Sequence, residues 1–184
     1  YNTQQLKGSH GITHVHHFYT KRTLKSFTNF WKYDNNQSTT FLYGSMMNKL
    51  TKMNRYTKKL PGSLSGTLYV PSLQLEYNPI WSIYRKILDI SKGLEIFCQI
   101  NSVNCISTLS LCKLYKKSQN YVDYIFLDPP FGGNLMYSEL NFLWESWLKV
   151  WTNNKSEAIV NKTQGKGLEE YSNLMTKCFQ EAFR

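Results

Sequence analysis

Apolar positions along this chain change period from stretch to stretch, and the changes predict its elements. Ile80, Ile83, Tyr84, Ile87 and Leu88 recur every three or four residues, and Asn78-Pro79 ahead of them supplies a capping side chain and a proline at the first helical position. A helix is predicted there, closed by the turn signal Ser91-Lys92-Gly93. Leu140, Leu143, Trp144, Trp147, Leu148 and Trp151 predict a second amphipathic helix whose tryptophans belong in a core. Leu168, Tyr171, Leu174, Met175, Cys178, Phe179 and Ala182 predict a third, while Phe18, Arg22, Lys25, Phe27 and Trp31 hint at another near the start. Leu109, Cys112, Leu114 and Tyr115 suggest a short helix or turn.

Strands are predicted over Gly66–Val70, ended by Pro71, over Glu95–Ile100, and over the aromatic and β-branched run Tyr121–Leu127. Strand, crossover and strand at this spacing imply a right-handed parallel unit, and hence α/β architecture. The stretch 34–66 is rich in Asn, Ser, Thr, Lys and Gly, which predicts a long loop around Pro61-Gly62.

Length and composition permit folding. A chain of 184 residues, 41% hydrophobic and 15% aromatic, can bury a core. No apolar run approaches membrane-spanning length and no cleavable signal peptide is visible, so the expectation is a soluble, cytoplasmic chain without a membrane partner. Cys98, Cys105, Cys112 and Cys178 form no C-x-x-C pair, and without an export signal no disulfide is expected of them, so they read as small apolar residues. The chain opens at Tyr1 rather than Met and closes at Arg184 within a helical pattern, which suggests a fragment whose partner is the remainder of a parent polypeptide.

Charge is uneven. The net charge of +10 divides into +9 over residues 1–60, +3 over 61–120 and −2 over 121–184. Lys49, Lys52, Arg55, Lys58 and Lys59, interleaved with Met53 and Tyr56, are the densest part and the candidate contacts to a polyanion. His10, His14, His16 and His17 also cluster, and alternation would place His14 and His16 on one face of a strand. No Cys or acid accompanies them at ligand spacing, so no metal site is expected.

The most chemical sequence lies at the end of the third predicted strand: Asp128-Pro129-Pro130-Phe131, followed by Gly132-Gly133. Proline fixes its own φ and pushes the preceding residue towards extended geometry, so the carbonyls of such a corner are presented stiffly. The tetrapeptide resembles the motif of the amino-methyltransferases, which act on the exocyclic amine of adenine or cytosine with S-adenosylmethionine as methyl donor. The stretch Phe131–Trp144 is similar to the sequence that follows the motif in one group of bacterial and phage DNA methylases, and His17–Leu24 resembles a segment downstream of their Gly-rich loop.

That resemblance implies an incomplete Rossmann-like parallel sheet, with a basic, loop-rich, nucleic-acid-facing segment over 1–65 and part of the catalytic core over 66–184. It implies roles too. The Asp128 carboxylate and the Pro129 carbonyl would accept hydrogen bonds from the two amine N–H groups, drawing the nitrogen lone pair out of conjugation, while Phe131 stacks on a flipped base and Pro130 stiffens the corner. Asp128 would also face the cofactor, and Gly132 and Gly133 would let backbone approach the ligand. The implied partner is DNA, adenine before cytosine, with RNA as an alternative because similar motifs serve guanine amines in transfer RNA.

The family's Gly-rich cofactor loop, Asp-Pro-Phe-x-Gly-x-Gly, does not occur in this sequence. The chain is therefore expected to be inactive alone and to bind S-adenosylmethionine poorly. A non-catalytic nucleic-acid-binding module remains a further alternative. Gly165-Lys166-Gly167 lacks the phosphate-loop pattern and is expected to be a flexible loop. Asn161–Leu168, which contains it, is similar to a methylase segment, implying contact with nucleic acid or closure over the site.

Overall fold

The structure is a computed structural model that describes residues 11–33, 36–58, 61–98, 109–113 and 123–183. Its α-helices are α1 (Lys21–Tyr33), α2 (Gln37–Met46), α3 (Pro79–Phe97), α4 (Tyr137–Leu140), α5 (Phe142–Leu148) and α6 (Leu168–Phe183). Single 3-10 turns occupy Val15–Phe18, Leu111–Lys113, Asn154–Ser156 and Lys162–Gln164. Among the described residues the only β pairing is three isolated antiparallel bridges, Arg55 with Gly62, Arg55 with Gln74, and Asn161 with Lys166. The expected α/β, Rossmann-like parallel sheet is therefore overturned.

Each predicted strand fails for its own reason. Glu95–Phe97 is absorbed into α3, which runs straight through Gly93. A glycine inside a helix costs only about 1 kcal/mol relative to alanine and stops nothing unless the backbone turns left-handed there. Gly66–Val70 makes a turn and an irregular segment, of which Val70 alone is buried. Asp123–Leu127 carries no strand assignment, and Tyr124 and Phe126 stand 77% and 80% exposed. A run of strand-forming residues without a hydrogen-bonded neighbour is not a sheet. Ile100, Tyr121 and Val122 lie outside the described residues.

The described residues fall into two compact units. The first draws on Asn2–Ser102 and Leu140–Val150 and holds the hydrophobic core. Where a long loop was expected, Asn36 caps α2 by accepting a hydrogen bond from the Thr39 N–H at 2.9 Å. Tyr43, Met46, Met47 and Leu50 then keep helical spacing and are all buried. Phe27 of α1 is fully buried and meets the rings of Trp147 and Tyr43 edge-on, at centroid separations of 4.8 and 5.9 Å. The Tyr19 hydroxyl donates to the Met47 carbonyl at 3.0 Å and accepts from the Trp147 indole N–H at 3.1 Å. Burial pushes the Tyr19 phenol well above its ordinary pKa, and the Trp147 bond pulls weakly the other way. Trp144 donates to the Gly44 carbonyl at 2.9 Å, so both tryptophans satisfy their polar edges as they pack.

Asn78 caps α3 as its sequence predicts, accepting from the Ile80 and Trp81 N–H groups at 3.0 and 3.2 Å. The predicted apolar stripe does not become a core face. α3 meets α1 and α2. Pro79 and Ser82 are its buried residues, Ile83 packs partly against the core, and Ile80, Tyr84, Ile87 and Leu88 stay exposed. The helix predicted after the motif is broken at Asn141 into α4 and α5 and ends at Lys149, whose φ of 56° is left-handed. Leu143 is fully buried and Trp144 and Trp147 pack on the core, whereas Trp151, 64% exposed, lies past the end of α5 and outside it.

The second unit draws on Val103–Glu139 and Trp151–Arg184. Polar tethers, more than apolar burial, organise it: Ile159 is fully buried but α6 buries no residue. The Glu157 carboxylate accepts from the Ser138 N–H and hydroxyl at 2.9 and 2.7 Å. Lys166 is buried, and its ammonium donates to the carbonyls of Asn154 and Glu157, the latter at 2.6 Å. Burial lowers its pKa, with the Glu157 charge opposing. The segment expected to be a flexible loop is thus a tight turn, with Gly165 left-handed at φ 67° and Asn161 and Lys166 exchanging backbone bonds of 2.9 and 3.0 Å.

Candidate functional site

Asp128-Pro129-Pro130-Phe131 forms a corner on the second unit. The irregular segment Asp123–Leu127 leads into it, and a turn at Gly132-Gly133 carries the chain away. Gly132 has φ 50°, a conformation that glycine enters without the steric cost a Cβ imposes, and the Asn134 N–H donates to the Phe131 carbonyl at 3.0 Å. Two contacts from downstream pin the corner. The Val160 N–H donates to the Gly132 carbonyl at 3.0 Å, and the Tyr171 hydroxyl of α6 donates to the Pro130 carbonyl at 2.8 Å. Asp128 and Phe131 are exposed, Phe131 by 71%, while Pro129 and Pro130 are half-buried. An acid and an aromatic ring therefore face solvent from a stiff, tethered main chain.

The close approach at Gly133 is to protein. A Cβ there would lie 3.1 Å from the Val160 carbonyl oxygen, so the glycine pair serves the Val160 tether rather than a ligand cradle. The described residues do not fit S-adenosylmethionine: the sequence has no Gly-rich loop, and the glycines beside the motif are closed over by Val160. Tyr171 and Val160 had no role as scaffold in the sequence pattern. Tyr171 carried only the spacing of an amphipathic helix, and nothing marked Val160.

The basic candidates belong to the first unit. Lys52 is half-buried and its ammonium donates to the His17 carbonyl at 2.9 Å, while the Arg55 guanidinium Nε donates to the Gly62 carbonyl at 3.3 Å. Both are fastened to main chain. Lys49 and Lys58 are exposed, with the Lys49 ammonium 5.3 Å from the Tyr77 ring centroid, and Lys59 lies outside the described residues. His14, His16 and His17 do not alternate along a strand. They lie on or beside the 3-10 turn Val15–Phe18, with ring centroids 4.3 to 5.4 Å apart, and no group able to hold a metal occurs among the described residues. No described helix is long and apolar enough to cross a membrane. Compared with known proteins, the chain matches no family model, no curated protein and no solved structure.

Proposed function

We propose that the Asp128–Phe131 corner is the base-binding half of an amino-methyltransferase acting on nucleic acid, adenine in DNA first among its substrates. The observation that carries this is the exposed Asp128 and Phe131 on a main chain held by Tyr171 and Val160. Asp128 accepts a hydrogen bond from one N–H of an exocyclic amine, the Pro129 carbonyl accepts one from the other, and Phe131 stacks on the extruded base. Tyr171 occupies the carbonyl of Pro130, one position beyond the one assigned to the amine. Fixed acceptors of this kind stabilise charge developing on the nitrogen without reorganising during reaction. The methyl donor, S-adenosylmethionine, is held by residues other than those described, and the exposed Lys49 and Lys58 serve the phosphate backbone.

The test is methyl incorporation from labelled S-adenosylmethionine into unmethylated DNA or RNA by a polypeptide that contains this chain together with a Gly-rich loop. Labelled N6-methyladenine is expected, with DNA preferred over RNA in competition, and Asp128→Ala abolishes it. Retained incorporation by that variant overturns the proposal. The missing Gly-rich loop and the strongly basic first third favour one other reading, a non-catalytic nucleic-acid-binding module. Salt-dependent binding unaffected by Asp128→Ala, with no methyl transfer from the longer polypeptide, would select it.

A further inference from the structure

Cys112, on the 3-10 turn Leu111–Lys113, and Cys178, on α6, are 66 residues apart in sequence, yet their sulfurs lie 3.0 Å from each other. That is only about 1 Å longer than a disulfide bond. Both belong to the second unit, where the turn and α6 pack together, so neither element has to travel for the sulfurs to join. Cys112 is exposed and Cys178 half-buried, which gives an external reagent access to one sulfur before the other. Cys98 is also exposed, but it belongs to the other unit.

We propose that Cys112 and Cys178 form a disulfide-forming modification site whose co-reactant is a low-molecular-weight disulfide. The Cys112 thiolate attacks one sulfur of the reagent disulfide, forming a mixed disulfide and expelling one small thiolate. The Cys178 thiolate then attacks the Cys112 sulfur, closing the protein disulfide and expelling the second. Two protein thiols are oxidised, the reagent disulfide is reduced to two thiols, and the two protons released pass to the departing thiolates. Burial and the neighbouring Cys112 push the Cys178 thiol up to about 11, which reserves it for the second step. The bond encloses Asp128–Phe131 in its loop and ties down the helix whose Tyr171 holds the Pro130 carbonyl.

The experiment uses the full chain with Cys98→Ser and Cys105→Ser, so that only this pair remains. After incubation with oxidised glutathione and quenching with iodoacetamide, the intact mass is expected to fall by two hydrogens with neither thiol alkylated. Peptides containing residues 112 and 178 should co-elute until reduced. With Cys178→Ser added, the glutathione adduct on Cys112 should persist. Accumulation of doubly glutathionylated protein, of a disulfide-linked dimer, or of free thiols on both residues overturns the proposal. Far-UV circular dichroism of the double-serine chain before oxidation must match the native chain. If it does not, the native chain is used, and a 112–178 cross-linked peptide decides the matter.

Discussion

Replacing Tyr19 by Phe removes one oxygen from the core of the first unit and keeps the ring. That oxygen, on a residue 3% exposed, donates to the Met47 carbonyl and accepts from the Trp147 N–H. Its loss leaves a buried acceptor and a part-buried donor unpaired. Each such group costs roughly 1–3 kcal/mol, partly offset because the phenol no longer has to be desolvated, so a net loss of about 2–3 kcal/mol is expected. This is a large share of the roughly 5–15 kcal/mol that holds a domain folded. In urea melts followed by far-UV circular dichroism, a slope of about 2 kcal/mol per molar makes that loss a fall in midpoint of about 1 M. The slope itself should not change. The same group sets an alkaline limit: its folded pKa lies above the ordinary value of 10.0, because burial disfavours the phenolate. The associated stability is complete below about pH 10 and is lost as pH rises towards the folded value, when the unfolded chain ionises first. Tyr19→Phe should flatten that alkaline decline. A midpoint shift below about 0.2 M, within ordinary surface-substitution scatter, would refute the idea that one hydroxyl satisfies both neighbours.

Two further substitutions probe the acid response and a strained residue. Glu76 accepts from the Thr20 hydroxyl at 2.5 Å and the Thr23 hydroxyl at 3.0 Å and pairs with Arg22 at 2.9 Å, and these partners, Thr20 foremost, hold its carboxyl below the ordinary 4.5. Its stabilisation is therefore present above about pH 4.5 and lost as pH falls through the lower folded value, so Glu76→Gln should cost about 1 kcal/mol at pH 7 and flatten the acid limb of a stability–pH curve. Lys149→Gly should stabilise by about 0.5–1 kcal/mol, visible as a raised thermal midpoint, because φ 56° at the end of α5 suits a residue without a Cβ.

Capping and helical-spacing signals survived into the structure, whereas the turn signal Ser91-Lys92-Gly93 did not stop α3 and the strand signals, which needed a partner, made no sheet. Asn78-Pro79 specifies its own geometry: a side-chain acceptor two and three residues from the N–H groups it caps, and a ring already set at helical φ. α6 likewise follows from spacing alone. α2 was hidden by its composition. Ser38, Thr39, Thr40 and Ser45 look like loop residues, yet Asn36 caps them and Tyr43 and Met46 anchor the other face. Tyr121–Leu127 shows the opposite error. Its residues have every local preference of a strand, but a sheet exists only through bonds to another strand, and the described residues provide none.

The same division explains how far the candidate site could be anticipated. Asp128, two prolines and Phe131 announce a stiff corner with an acceptor and a ring, and the structure keeps both side chains in solvent. Which carbonyl of that corner is tethered depends on Tyr171, 41 residues beyond Pro130, and on α6 forming where it does. The contact bears on the proposed chemistry because the Tyr171 hydroxyl at 2.8 Å already occupies one of the two lone pairs of the Pro130 carbonyl. Under the proposed function, Tyr171 engages the Pro130 carbonyl and leaves the amine to the Pro129 carbonyl, the position that the resemblance to methylases assigns to it. The basic residues divide in the same way. Charge density nominated Lys49, Lys52, Arg55 and Lys58 together, but main-chain carbonyls hold Lys52 and Arg55 in place, which leaves the exposed Lys49 and Lys58 as the candidates that the proposed function assigns to a phosphate backbone.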